Sequence, residues 1–300
     1  MDIVVFGAGS LGSLVGGLLA RAHDVTLVAR EPHASVVAED GLQISGSLEE
    51  TTHPATRVDG ADLEADLAVV TVKSYATENA ARALATGTFE AALSLQNGMG
   101  NEEILAEHLS CPVLAGTATY GAILEEPGIV TCTGLGELVL GARDGGPSSV
   151  ADRVGEAFSR AGLETTVSSS MPHRLWEKLA VNAAINPVTA LADAPNGAVL
   201  EEPLRDLSRA AARETARLAR ANEVSLANRE ALAALESVAT VTTANASSMR
   251  QDVRAGKRTE IDAINGYVCD RAARCGFEAP TNGTLATLVR VWERENVGAR

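Results

Sequence analysis

Apolar and polar positions recur along this chain at two different periods, and the change of period divides it. Near the start, "DIVVFG" and "DVTLVAR" are short runs rich in β-branched residues, and the intervening "SLGSLVGGLLARA" is apolar at helical spacing. "LAVVTV" (67–72) and "AALSLQ" (91–96) repeat the strand signature around the helical "YATENAARALA". Continuous apolar strands alternating with helices predict βαβ units around a parallel sheet covered on both faces. From 113 to 141 the texture shifts to "VLAGTATYGAIL", "GIVTCTG" and "GELVLGA", broken by Gly and Pro. These pieces predict antiparallel strands added at the edge of that sheet. "SVADRVGEAFSRAG" then predicts a further helix and "ETTVSS" a strand.

Beyond "SSSMP" (168–172) the strand signature stops, and residues 173–294 keep helical periodicity nearly throughout. Clustered serines and Pro172 mark the boundary. The expected domains are therefore 1–168, α/β, and 169–300, all-helical.

Composition narrows the partners. A chain of 300 residues that is 46% hydrophobic and 21% charged can bury an ample core. No apolar run reaches the ~18 to 20 residues needed to span a bilayer, so no membrane partner is expected. The apolar N-terminus lacks the basic start of a signal peptide, which makes the cytoplasm the expected location. A net charge of −14 argues against nucleic acid and anionic membranes. The same acidic, alanine-rich, lysine-poor composition suits a salt-adapted protein, although a GC-rich genome would write it too. Four scattered cysteines without a C-x-x-C pair, and five scattered histidines, predict neither disulfides nor a metal site.

Two constellations carry chemistry. "GAGSLG" spaces Gly7, Gly9 and Gly12 as G-x-G-x-x-G between a strand and a helix, at the start of the chain. That pattern needs a tight turn, close backbone approach to a pyrophosphate and close helix–strand packing, with the helix start facing the anion. Together with the βαβ units it predicts a Rossmann domain that binds a dinucleotide through Gly7, Ala8, Gly9, Ser10, Leu11 and Gly12. The second strand ends at Arg30, where an acidic residue would select NAD and an arginine can neutralise the 2′-phosphate of NADP. NADP(H) is the expected cofactor. A solvated Arg30 is the duller alternative, and Glu31 could turn to the ribose instead.

The second constellation is "WEKLAVNAAINP" (176–187). Only three of the 25 basic residues are lysine, and Lys178 is one of them. Lys178, Asn182 and Asn186 fall on one helical stripe, between residues too apolar for a solvent-washed helix. Buried ammonium and amide groups need polar partners, which a substrate could supply. A lysine can also release a proton where arginine cannot. The alternative is a snorkelling lysine above two structural asparagines. Pro187 is expected to bend the helix.

The chain resembles the ketopantoate reductase (2-dehydropantoate 2-reductase) family. The resemblance runs through "FGAGSLGS", "TVKSY", "QNGMGNEE", "LWEKLAVNAAINPVTAL", "PNG" (195–197) and "SSMRQDVRAGKRTEIDAINGYV". The first of these is common to many dinucleotide-binding proteins, and the last three are specific to this family. The resemblance implies NADPH-dependent reduction of 2-dehydropantoate to pantoate, on the route to pantothenate and coenzyme A, in a cleft between the two domains. It implies Lys178 as the catalytic proton donor, and Asn182, Asn186, Asn196, Asn245 and Ser248 as substrate contacts. Glu260 is implied as a second catalytic residue, in contact with both substrate and cofactor. Lys73, Asn97 and Ala122 are implied at the cofactor, although "TYGAIL" departs from the family pattern and Gly121 could take the place of Ala122. A homodimer is left open. Alternatives are a paralogue acting on another 2-oxo acid, a β-hydroxyacid dehydrogenase, which "SSMRQDVRAGKRTEID" disfavours, and a non-enzymatic nicotinamide-nucleotide sensor.

Overall fold

The computed structural model describes residues 1–298, which divide into two compact units. The first holds Met1–Gln96 and Gly100–Met171; the second holds Asn97–Met99 and the chain from Pro172 onward.

In the first unit, the strands and helices follow in the order β1 (Asp2–Phe6), α1 (Ser10–Leu19), β2 (Asp24–Val28), α2 (His33–Asp40), β3 (Leu42–Gly46), β4 (Glu50–Thr52), β5 (Ala55–Arg57), β6 (Glu64–Val70), α3 (Thr77–Leu84), β7 (Thr88–Ser94), α4 (Asn101–His108), β8 (Val113–Ala118), β9 (Gly121–Glu126), β10 (Ile129–Gly134), β11 (Leu138–Ala142), α5 (Ser149–Arg160) and β12 (Thr165–Val167). Eight strands form one sheet in the order β12-β11-β8-β7-β6-β1-β2-β5. Strands β8, β7, β6, β1, β2 and β5 run parallel. Residues such as Val5, Leu67, Val69 and Leu93 are completely enclosed, as a sheet covered on both faces requires.

The edge expected to be antiparallel is built differently. Strand β8 continues the parallel sheet beside β7; β11 adds to it antiparallel, and β12 pairs parallel with β11 at the edge. Strands β9 and β10 leave for a second sheet of order β4-β3-β10-β9, where β10 pairs parallel with β3. Leu42, Ile44, Val130 and Cys132 of that sheet share one buried cluster with Leu14, Val15 and Leu18 of α1. Their apolar side chains thus cover the helix into which the glycine loop leads.

The second unit is helical: α6 (Met171–Ala192, from its second residue onward), α7 (Leu204–Ala221), α8 (Asn228–Val241), α9 (Ser248–Arg254), α10 (Tyr267–Arg274) and α11 (Pro280–Asn296). A 3-10 turn covers Asn196–Leu200, and a π-helical turn, Asp262–Gly266, leads into α10. Helix α6 is buried on two sides. Trp176, Leu179, Ala180 and Ala183 face one apolar cluster, and Val181, Ala184, Ile185 and Val188 face another. Residue Pro187 lies inside α6, and the helix continues past it. No helix among the described residues is long and apolar enough to cross a membrane.

Candidate functional site

The glycine loop has the geometry its spacing requires. The N–H groups of Gly7 and Ala8 donate to Val28 O at 3.1 and 3.0 Å, and Gly9 N donates to Gly7 O at 2.7 Å. Gly7 sits at φ +108°, and a Cβ there would lie 2.6 Å from Val72 Cγ1. A Cβ on Gly12 would overlap the Gly7 carbonyl oxygen and the Thr71 hydroxyl, so this glycine sets the helix against the strand. Gly9 differs. It is exposed, and nothing of the protein lies closer than 4.0 Å to where its Cβ would be. Protein packing does not exclude a side chain there, whereas the close approach of a phosphate would.

Helix α1 begins at Ser10 with no side-chain cap and no acidic residue in its first turn. Its first N–H groups have no helical acceptor and carry the positive end of the dipole. Ala8 is buried and the half-buried Leu11 side chain packs on the core, so both would meet a pyrophosphate through their backbone. The Ser10 hydroxyl accepts from Leu124 N at 3.0 Å, tying the loop to β9, the strand that carries Ala122. The residues present therefore fit a dinucleotide pyrophosphate.

Arg30 is exposed just beyond the carboxyl end of β2. The neighbouring Glu31 is already engaged, since Ser35 donates to Glu31 Oε2 through its hydroxyl at 2.6 Å and its N–H at 3.3 Å. Half-buried Lys73 follows β6 and precedes a 3-10 turn, Ser74–Ala76. Behind it, Gln96 Nε2 donates to Val72 O at 3.0 Å and to Thr77 Oγ1 at 2.7 Å. The Thr77 hydroxyl lies 2.8 Å from Asn101 Oδ1. This buried relay joins the two loops at the carboxyl edge of the sheet.

Beside it, Glu102 is 2% exposed, and its Oε1 has no hydrogen-bond partner among the described residues. Burial pushes its carboxyl up to about 7, aided by nearby Glu103 and opposed by hydrogen bonds and by Arg143. His33 is buried where α2 begins. Its Nδ1 accepts from Gly128 N at 2.9 Å, so Nε2 bears the proton and donates to Ser13 Oγ at 3.0 Å. Burial holds this imidazole below its ordinary pKa.

In the second unit, Lys178 and Asn182 are half-buried and Asn186 is buried along one stripe of α6. One turn further, Thr189 Oγ1 lies 2.7 Å from Ser247 Oγ. Ser247 also caps α9 by accepting from Arg250 N at 3.1 Å, and Ser248 is the half-buried first residue of that helix. Ser247 thus joins the stripe to the "SSM" segment, a role the sequence reading did not give it. Asn196 N donates to Asn245 O at 2.9 Å, so these two expected substrate contacts are neighbours through backbone. Asn245 is itself exposed. The Asn196 side chain donates to Thr242 Oγ1 at 3.0 Å, and its buried Oδ1 has no partner among the described residues.

Glu260 is 5% exposed and accepts from Asn97 Nδ2 at 3.4 Å. Met99 N donates to Ala263 O at 3.1 Å, fixing the same short loop beside the Glu260 segment. Among the described residues no cluster of His, Cys, Asp and Glu could hold a metal ion.

Two family models match the chain: "Ketopantoate reductase PanE/ApbA" over residues 3–145 and "Ketopantoate reductase PanE/ApbA C terminal" over residues 170–293. A 2-dehydropantoate 2-reductase from Halobacterium salinarum is 44% identical over 304 residues, covering 98% of this chain and 100% of that protein. The crystal structure of a PanE/ApbA family ketopantoate reductase from Ralstonia eutropha is 33% identical with a TM-score of 0.91, covering 99% of both chains. A D-mandelate dehydrogenase solved with NADH and anilino(oxo)acetate is 25% identical with a TM-score of 0.92, covering 99% of this chain and 100% of that one. With a nucleotide loop in one unit, a lysine–asparagine stripe in the other, and family matches over both, the chain belongs to the ketopantoate reductase family of oxidoreductases.

Proposed function

We propose that this protein reduces 2-dehydropantoate to (R)-pantoate with NADPH, and that Lys178 is the general acid. The observation that carries the reading is the stripe of Lys178, Asn182 and Asn186 on a helix otherwise enclosed in apolar clusters. When bound, the cofactor supplies the hydride that reaches the C2 carbon of the ketone. Lys178 hydrogen-bonds the ketone oxygen and gives it a proton as negative charge develops there. Asn182 and Asn186 orient the substrate through their amides. Buried Asn196 Oδ1, still lacking a donor, suits a substrate hydroxyl, which would remove the cost of an unpaired polar atom. Asn245 and Ser248 complete the substrate contacts, the serine at the carboxylate.

Glu260 accepts from the substrate's hydroxyl end and, with Asn97 beside it, from the cofactor. On the nucleotide side the loop Gly7–Gly12 holds the pyrophosphate, with Lys73 and the backbone near Ala122 as further contacts. Arg30 pairs with a 2′-phosphate. The engagement of Glu31 by Ser35 supports NADPH over NADH, because that carboxylate is already occupied by α2.

A second reading is an NADH-dependent dehydrogenase of another 2-hydroxy acid, favoured by the likeness to the D-mandelate dehydrogenase solved with NADH. Steady-state oxidation of NADPH and NADH against ketopantoate, phenylglyoxylate and other branched 2-oxo acids separates the two. The first reading predicts the highest kcat/KM for ketopantoate with NADPH. Highest efficiency with an aryl 2-oxo acid and NADH would replace it by the second.

A further inference from the structure

Pro187 creates a vacancy in α6. Lacking an N–H, it cannot donate to the carbonyl four residues earlier, that of Ala183. Ala183 is fully buried, so water does not take the missing bond. The donor is instead Asn265, whose Nδ2 lies 3.0 Å from Ala183 O. Asn265 is fully buried in the π-helical turn that follows Glu260.

Its amide orientation is fixed from both sides. Asn265 Nδ2 also donates to Asn282 Oδ1 at 2.9 Å, and Asn282 Nδ2 in turn reaches Glu214 Oε2 at 2.8 Å and Ala211 O at 3.2 Å. The Glu214 carboxylate is itself held by Thr281 N at 2.9 Å and Asn282 N at 3.0 Å. Rotating the Asn265 amide would set its oxygen against two acceptors. The bonded carbonyl lies between Asn182 and Asn186, whose side chains share the stripe with Lys178.

Resting on the reading of that stripe as the substrate site, we infer that Asn265 is a positioning residue for the reaction. By pairing the carbonyl that Pro187 leaves without a helical donor, it holds the Glu260 segment in register with Asn182 and Asn186. The π-helical turn has a matching purpose, since one extra residue re-aims the side chains around it.

The test is a double-mutant cycle of Asn265→Ala and Pro187→Ala. It follows Tm, cofactor KM, and kcat and KM for whichever 2-oxo acid the wild type turns over best. Asn265→Ala should lower Tm and raise substrate KM by about tenfold, the equivalent of one good hydrogen bond. Cofactor KM should rise less than substrate KM, because Glu260 is only one of the proposed cofactor contacts and Gly7–Gly12, Arg30 and Lys73 are untouched by the substitution. In the Pro187→Ala background residue 187 supplies the helical N–H, so the loss of Tm from Asn265→Ala should shrink while the KM defect persists. An undiminished Tm loss would overturn the carbonyl pairing. A KM defect that is absent, or that disappears in the Pro187→Ala background, would overturn the positioning role and leave Asn265 as helix repair. If Asn265→Ala alone does not fold, the same KM comparison is made between Pro187→Ala and the double variant. A wild type that prefers an acid other than ketopantoate would sink the substrate assignment without touching this cycle.

Discussion

Asn97 donates its side-chain amide to the Glu260 carboxylate at 3.4 Å, joining residues 163 positions apart in the sequence. One is expected at the cofactor and the other at both cofactor and substrate, so the bond would organise groups that meet both ligands. Glu260→Gln keeps an acceptor for Asn97 but loses the charge. A hydrogen bond to a charged group contributes ~1.5 to 3 kcal/mol, so kcat/KM for ketopantoate should fall by about 10- to 150-fold. Unchanged kcat/KM with a lowered Tm would make Glu260 structural.

Cofactor preference is read at Arg30. Its guanidinium can grip a 2′-phosphate through charge-assisted bonds that a hydroxyl cannot match. Arg30→Ala should raise the KM for NADPH by about 10- to 150-fold and leave NADH little changed. A wild type with equal or better efficiency for NADH, assayed at the same salt, would turn attention to Glu31.

The sequence made the glycine loop and the lysine stripe visible because both are local. Gly7, Gly9 and Gly12 lie in one short stretch of chain, and Lys178, Asn182 and Asn186 repeat at the helical period. The second sheet was not visible. Its strands are short and half-polar, as in "LQISG" and "ETT", and β10 finds its parallel partner β3 across 86 residues at Ile129 and Gln43. No periodicity encodes such a pairing. His33 and Ser247 went unread for a related reason: each acts through partners distant in sequence, Gly128 and Thr189. Asn265 was quoted only within a family motif, and the vacancy it fills is a consequence of Pro187.

The buried carboxyl of Glu102 makes stability depend on pH. Its folded-state value, raised by burial from 4.5 to about 7, means that the folded chain holds this proton more tightly than the unfolded chain. The resulting stabilisation is fully present below about pH 4.5 and is lost as pH rises through 7. The swing is on the order of 3 kcal/mol. Glu102→Gln should flatten the decline in Tm between pH 5 and 8 and stabilise the protein at pH 8. An identical pH profile for the variant would show that Glu102 is not the group responsible.

Net charge gives a prediction about salt. At −14 the carboxylates repel one another, and raising salt from 0.1 M to 1 M shortens the Debye length from ~10 to ~3 Å. Salt adaptation predicts a steep rise in Tm from 0.1 to 3 M KCl. A flat profile would leave the composition as a mark of the genome.

The most direct test of the proposed mechanism is kcat for ketopantoate reduction by Lys178→Ala, measured at saturating NADPH. A positioned general acid contributes ~10² to 10⁴-fold in rate, and kcat should fall by that range while cofactor affinity holds. Lys178→Arg should remain impaired, because it restores charge without a transferable proton. A Lys178→Ala enzyme whose kcat stays within a few-fold of wild type would contradict the proposal that this lysine protonates the substrate.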